Sequence, residues 1–400
     1  MASVPDYDVI IVGGGPVGLM LGNLLGKKNL NTLLIEKTAA PPAESMAIGV
    51  TPPSLDLFQT LGLDDVLVNR GVCVDLAKVH EGRKLAGELS FQSLDNPHPY
   101  ILAIPQATTI NVLEENLLRY GSVTLCRKNS LIAIEQTEKM VTARVKKTGT
   151  TEVKQVTASF LVGCDGHRSI VRDLAGIKLT GEKKYPACFL MADFADNSGL
   201  GDEAHLFFSR HGSVESFPLP KGRRRWILQT DQLINPPDKS LLIRDVQRRT
   251  GYDLRGSKCF SESMFRTRRF VCQSYYSNRV ALCGDAAHVM SPIGGQGMNT
   301  GFADAEFLAE ALFKHFSNSE DFQALFEDYD HFRRLAFSVA ATRAERGMWM
   351  GTRRGKFASV LRLFLIKALL GPIFNKSLPA YFAMLTIPYR SLSSLDNDQH

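Results

Sequence analysis

Three carboxylates sit at the ends of short apolar runs, two of them beside glycine, and they are the residues of this sequence best placed to do chemistry. Glu36 closes the run Thr32 to Ile35, Asp165 follows Phe160-Leu161-Val162-Gly163-Cys164, and Asp285 follows Val280-Ala281-Leu282-Cys283-Gly284. An ionised carboxylate at a strand end can accept hydrogen bonds from sugar-like hydroxyls. Two glycine clusters accompany them, Gly13-Gly14-Gly15-Pro16-Val17-Gly18 and Pro292-Ile293-Gly294-Gly295-Gln296-Gly297-Met298-Asn299. A glycine-rich turn that opens a helix presents free backbone N–H groups at the positive end of the helix dipole. It suits an anion or a developing negative charge.

These groups need particular elements to hold them. Tyr7 to Val12 is an apolar run of strand length, Leu19, Met20, Leu21, Leu24 and Leu25 follow with helical spacing, and Thr32 to Ile35 reads as a second strand. In that order Gly13 permits the tight turn, Gly15 lets the backbone approach a pyrophosphate, and Gly18 lets helix and strand pack closely. Glu36 lies 18 residues after Gly18, where a carboxylate can bind a ribose hydroxyl. Strand, helix, second strand and acid together predict an ADP-containing dinucleotide.

Further along, Pro41-Pro42 marks a loop and Thr51 to Leu61 reads as a helix with Pro52 in its first turn. Val72 to Leu94 suggests exposed strands, Gln106 to Tyr120 a helix, and Val123 to Val145 strands with a hairpin near Thr137 to Lys139. Asp165-Gly166 turns into a helix start that carries Arg168 and Arg172. From Lys183 to about Phe270 short β-like runs alternate with Gly/Pro turns, with one helical segment near Ser240 to Thr250. The segment 294–297 is too rich in glycine for a helix interior, so the next helix is expected over Gly301 to Phe313 and the remainder is helical in pattern.

A chain of 400 residues exceeds one ordinary core, which implies two packed domains or one with insertions. With 44% hydrophobic and 22% charged residues the composition is that of a soluble globular protein. The seven cysteines are scattered with no C-x-x-C pair, the usage of a reduced, cytoplasmic protein, and they support neither a zinc site nor a disulfide framework. The net charge of +6 is modest, and the basic clusters at 223–225, 266–269 and 353–356 carry no nucleic-acid motif. A solvated surface explains them, as does attraction of an anionic coenzyme or lipid surface. Asp6 and Asp8 ahead of the first apolar run are unlike a signal peptide.

The ordered set of G-x-G-x-x-G with Glu36, then Asp165-Gly166, then Gly284-Asp285 resembles the group A flavoprotein monooxygenases, the para-hydroxybenzoate hydroxylase family, across roughly residues 5 to 340. The stretch from Glu36 to Gly71 and Ile104-Pro105-Gln106 also look like that family's flavin-contacting segments. The resemblance implies an α/β fold: a Rossmann-like GR2-type FAD-binding domain with a parallel sheet, a mostly antiparallel β-sheet substrate domain and a helical C-terminal tail. It implies a discontinuous FAD-binding domain over 1–75, 98–182 and 271–340, a substrate domain over 76–97 and 183–270, and a helical segment over 341–400.

By the same resemblance, Gly13, Gly15, Pro16, Val17, Gly18, Glu36 and Lys37 hold the ADP half of a non-covalent FAD. Gln106 contacts the ribityl or pyrophosphate region, Asp165 and Arg168 serve FAD and the passing NAD(P)H, and Gly284 and Asp285 meet the ribityl chain. Pro292, Gly295, Gln296, Gly297, Met298 and Asn299 line the isoalloxazine. Met46 stands where the family usually has arginine, a departure that bears on how FAD is held.

The implied activity is hydroxylation of an aromatic or other electron-rich apolar substrate with NAD(P)H and O2 through a C4a-hydroperoxyflavin. In that chemistry the flavin does the hard step and no metal or protein nucleophile is needed. His80, His205, His211 and His288 are candidate bases by type only, and each reads first as a structural or surface histidine. Phe207, Phe208, Phe217 and Trp226 could wall an apolar pocket or form plain core. A halogenase of similar layout would carry W-x-W-x-I-P, which is absent, the only tryptophans being Trp226 and Trp349. The same motifs would also suit a flavin reductase or saturase acting on a lipophilic chain, or a non-catalytic FAD-binding regulator. Phe357 to Leu370 is apolar almost all round, ends before Pro372 and falls short of the ~20 residues that span a bilayer. It reads first as a buried packing helix and second as a helix lying on a membrane surface. No thioredoxin-like extra domain is expected after it.

Overall fold

The computed structural model describes residues 4–41, 47–292, 294–371 and 377–388. Five parallel strands form the centre of the first sheet, in the order Val280–Leu282, Val153–Gly163, Tyr7–Val12, Thr32–Glu36 and Val123–Arg127. Their apolar runs are continuous, not alternating, because both faces are covered: Ile10, Ile11, Leu34, Leu161 and Ala281 are fully buried. Helix Pro16–Lys27 crosses between the first two strands and packs closely on helices Gln106–Leu117 and Gln296–Asn318. A side chain at Gly22 would meet Leu117, and one at Gly26 would meet the Tyr120 ring. An antiparallel meander, Asn129–Gln136 and Val141–Lys147, continues the sheet from the first half of Val153–Gly163.

The second sheet has eight strands, beginning at His288–Val289, passing through the long strands Cys259–Cys272 and Leu179–Ala195, and ending at Leu76–Glu81 and Lys84–Ser90. It is antiparallel except where Ala204–Phe208 runs parallel to Leu76–Glu81. One face packs Leu190, Phe207, Trp226 and Leu228 against Leu242 and Val246 of helix Lys239–Thr250. The other face looks towards the carboxyl ends of the parallel strands. A three-stranded sheet of Gly49–Val50, Ile101–Ala103 and Val72–Val74 bridges the two layers.

Two expectations change here. The helix expected over 301–313 runs from Gln296 to Asn318, so Gly297 and Gly301 lie inside it. Packing explains the second glycine, since a methyl group at Gly301 would come within 2.6 Å of Val17. The tail helix Lys356–Leu369 is not a buried packing helix. It lies on the surface over Leu76–Glu81 and Lys84–Ser90, with Arg362 and Ile366 turned inward and Phe357, Val360 and Phe364 exposed. Met46, Ile293, Pro42 and Pro372 lie outside the described residues.

Candidate functional site

The three sequence motifs converge because parallel strands end on the same side, where a doubly wound sheet leaves its crevice. Gly13 has φ +112° and sits so close to the neighbouring strand that a Cβ would stand 2.4 Å from the Cys164 carbonyl oxygen. A Cβ at Gly18 would strike the Gly13 carbonyl. Gly15 differs: a Cβ there would meet nothing within 4 Å, because this residue faces open space at the start of helix Pro16–Lys27. No side chain caps that helix, so its first N–H groups remain available to an anion. Glu36 accepts from the Gly14 N–H at 2.7 Å and from the Thr38 N–H and hydroxyl, which ties the second strand to the turn.

Asp165 is committed to its own loop. Its carboxylate accepts from the Ser169 hydroxyl and from the Ile170 and Val171 N–H groups, capping helix Ile170–Leu174. Arg172 is buried and donates to the Ala286 carbonyl at 3.2 Å, so it fastens the second motif to the third and does not reach the cavity. Asp285 opens onto the cavity and is otherwise surrounded by protein. That enclosure raises its carboxyl, against the opposing pull of His288 and Arg268.

Behind Asp285 lies a buried charge cluster. Asp304 bonds His288 at 2.6 Å and Arg333 at 2.8 Å, and accepts from the Gly284 N–H at 3.2 Å. Burial alone would raise the Asp304 carboxyl, but His288 and Arg333 overcome it and hold it below the ordinary range.

Helix Gln296–Asn318 begins at Gly295, in the left-handed region and with no side-chain cap, so a second uncapped helix start faces the same crevice. Asn299 is turned away from the crevice. Its amide accepts from the Thr51 N–H and donates to the Gly49 and Gly295 carbonyls, locking the helix start to the bridging sheet. Gln296 is buried with its side-chain oxygen lacking a partner among the described residues.

The strand-end motifs border one cavity of ≈ 1750 Å³, larger than a pocket for a single small ligand. Of the residues singled out in sequence, Gly13, Gly15, Pro16, Val17, Glu36, Lys37, Gln106, Asp165, Arg168, Asp285, Pro292, Gly295, Gly297 and Met298 line it. Gly18, Gly284, Gln296 and Asn299 stand behind that wall. The far end is formed by the inner face of the second sheet, and strand parity divides the aromatic candidates. Phe208 and Phe217 line the cavity, while Phe207 and Trp226 pack on the opposite face.

A family model described as FAD binding domain matches residues 6–344. The chain belongs to this FAD-binding family. Among its relatives, 6-methylpretetramide 4-monooxygenase of Streptomyces rimosus is 33% identical over 318 residues, which is 77% of this chain and 56% of the relative. Rifampicin monooxygenase of Streptomyces venezuelae is 30% identical over 310 residues, 75% of this chain and 62% of the relative. The chain thus spans less than two thirds of the length of either. A solved anhydrotetracycline hydroxylase from Streptomyces rimosus superposes with TM-score 0.80 at 28% identity, covering 96% of this chain and 77% of that one. The structure of p-nitrophenol 4-monooxygenase from Pseudomonas putida DLL-E4 gives TM-score 0.88 at 22% identity over 96% of this chain and 98% of that one, a likeness of fold.

The crevice of this FAD-binding chain fits its cofactor. Gly15 leaves room for a close approach, two uncapped helix starts offer donors to anionic groups, and Glu36 and Asp285 offer acceptors for hydroxyls. None of the four histidine candidates lines the cavity: His80 and His205 pair with each other, His288 is held by Asp304, and His211 is exposed at a turn. The sequence reading missed cavity residues, Glu215 among them. Glu215 projects from strand Val214–Leu219 into the apolar end, and enclosure by the cavity walls raises its carboxyl to about 7. Its sequence context, Ser213-Val214-Glu215-Ser216-Phe217, alternates like any half-exposed strand, so only the parity of Phe217 two residues on could have pointed to it.

Proposed function

We propose that the chain is an FAD-dependent monooxygenase that uses NAD(P)H and O2 to hydroxylate an aromatic, electron-rich substrate. The observation that carries this reading is the single cavity, which joins a dinucleotide cradle to an apolar sheet wall. Bound FAD supplies the redox chemistry, taking up hydride and activating dioxygen. The chain's residues bind and orient. Gly13, Gly15, Gly18 and the start of helix Pro16–Lys27 take the pyrophosphate, Glu36 the ribose, and Asp285 the ribityl hydroxyls. The uncapped start of helix Gln296–Asn318 stabilises negative charge on the flavin. Asn299 and Asp304 act one layer back, by fixing that helix start and the Gly284 turn.

We divide the chain accordingly: 1–75, 98–182 and 271–340 hold FAD, and 76–97 with 183–270 form a roof that keeps water from the reacting atoms. Among the described residues no helix is long and apolar enough to cross a membrane. We place the protein in the cytoplasm, resting on lipid through helix Lys356–Leu369, whose outward apolar residues are flanked by Arg353, Lys356 and Lys367. An aromatic polyketide or simple phenol suits the size and apolarity of the roof end and accords with what the relatives' names say of those proteins. The test is incorporation of one atom of isotopically labelled dioxygen into a phenolic product, dependent on NADH or NADPH. Reduction of the flavin that yields only hydrogen peroxide with every aromatic tried would favour a reductase.

A further inference from the structure

Glu215 is chemically out of place. It lies in a cross-strand row with Leu206 on one side and Ile227 and Met191 on the other, and all four side chains belong to the cavity wall. Phe217, two residues along the same strand, shares that face. The Glu215 carboxylate is open to the cavity lumen and enclosed on its other sides. Among the described residues it has neither a hydrogen bond nor an ion pair, and desolvation alone perturbs it. A carboxylate in such a place is costly unless a donor meets it. No described residue meets it, so the donor is supplied by what enters the cavity.

Most charged groups on surrounding elements are engaged elsewhere or belong to the flavin end. One row along the same face, Arg225 holds Asp193 through two hydrogen bonds. On helix Phe322–Thr352, Arg343 donates to the Thr386 carbonyl and Glu345 is bound by Tyr185, Lys183 and Arg269. Arg346 on that helix is exposed where it lines the cavity. Lys183 comes from strand Leu179–Ala195, while Glu36, Lys37, Asp165, Arg168 and Asp285 line the dinucleotide end. On strands Leu76–Glu81 and Ala204–Phe208, Glu81 lies opposite cavity-lining Phe208 but is held by Arg362, while Lys78, His80 and His205 turn to one another and to Glu203.

We propose that Glu215 is the specificity residue of the roof, accepting a hydrogen bond from the hydroxyl of a neutral aromatic substrate and excluding aromatic carboxylates. This rests on the monooxygenase reading of the same cavity and names the substrate end of it. A phenol offers one donor and an apolar ring, which match one acceptor in an apolar wall. An aromatic acid brings a second negative charge beside the Glu215 carboxylate. Removing the negative charge, by protonation or by substitution, removes most of this preference.

The test uses holoenzyme in its oxidised state and reads ligand binding from the perturbed absorbance of bound FAD, so it does not depend on turnover. The probes are a naphthol and the naphthoate with the same substitution. Near pH 8 the wild-type protein is expected to bind the naphthol at least about tenfold more tightly. Lowering the pH from about 8 to about 6 is expected to strengthen naphthoate binding roughly tenfold, as a carboxyl titrating near 7 becomes neutral, and to leave naphthol nearly unchanged. Glu215→Gln is expected to bind naphthoate equally at both pH values. A wild-type naphthoate affinity that is flat with pH overturns the proposal, even if the variant fails to retain FAD. So does a variant with wild-type selectivity, or a wild-type protein that binds no naphthol. Loss of oxygenation with this selectivity intact would instead overturn the monooxygenase reading.

Discussion

At the scale of single residues, the glycines of the first turn do different work. Gly13 needs both a positive φ and the absence of a Cβ, whereas Gly15 has φ −76° and free space around it. Gly13→Ala is therefore expected to lower the folding stability of the apoprotein by about 2–4 kcal/mol, read from urea unfolding. Gly15→Ala is expected to change that stability by less than about 0.5 kcal/mol and to weaken FAD binding more than tenfold, because its methyl group would stand where the ligand approaches. Equal effects of the two on unfolding would contradict this division. The pair His80 and His205, 3.1 Å apart, makes a different claim. Burial, the His80 ring and Arg224 lower His205 to about 4, overriding Glu203 at 3.3 Å, and burial with Lys78 also lowers His80. Both stay neutral in the folded protein, while in the unfolded chain they take up protons below about 6.5. Their stabilising contribution is whole above that pH and is lost as the pH falls towards 4. For His205 the loss is on the order of 3 kcal/mol, and His205→Gln should flatten the stability curve between those limits. An unchanged slope would mean the ring is protonated in the fold. The glycines were legible in the sequence because one residue type meets one backbone need. Glu215 was not, because a strand carboxylate looks alike whether its face meets solvent or a cavity.

At the scale of elements, the clamp around Asp304 holds the third motif to the long helices. Asp304 on helix Gln296–Asn318, Arg333 on helix Phe322–Thr352 and His288 beside the Gly284 turn are all nearly inaccessible, so removing the anion strands a buried cation. Asp304→Asn is expected to cost about 3–5 kcal/mol in urea unfolding of the holoenzyme and to speed FAD release. A cost below about 1 kcal/mol would show that the cluster is dispensable. Of its members only His288 stood out in sequence, and as a candidate base, whereas Asp304 is one acid in a helix and Arg333 one of two adjacent arginines. The parallel strands and the crossover helix were legible, since buried strands write themselves as unbroken apolar runs and turn glycines punctuate them. The start of helix Gln296–Asn318 was misread because glycine disfavours helix locally, yet Gly301 is required by contact with Val17 from another element. The pairing of Ala204–Phe208 with Leu76–Glu81 joins strands far apart in the chain, and local pattern carries no record of such a partner.

At the scale of the whole molecule, the tail helix Lys356–Leu369 wears its polarity inside out. Arg362 points inward and donates to Glu81 at 2.9 and 3.0 Å, and Ile366 joins the cavity wall. Outward, Phe357, Val360, Leu361 and Phe364 are spaced along one stripe and are 83%, 70%, 42% and 70% exposed. Arg353, Lys356 and Lys367 flank the stripe, and a lipid surface with anionic headgroups satisfies both features, each basic group near it contributing about 1 kcal/mol. The protein should sediment with vesicles containing phosphatidylserine, less with neutral ones and less at high salt. The double change Phe357→Glu and Phe364→Glu should weaken that association at least about tenfold with thermal stability preserved, since neither side chain packs inside. Wild-type protein that ignores anionic vesicles, or a variant that changes only the oligomeric state, would assign this face to a second copy and not to lipid. Because the inner side of the same helix lines the cavity, lipid contact would bring an apolar substrate to within one helix thickness of Glu215's end of the chamber. Hydroxylation of a membrane-partitioned phenol should then be faster with vesicles present than in detergent-free buffer alone, and the double variant should erase that difference without altering turnover of a freely soluble phenol.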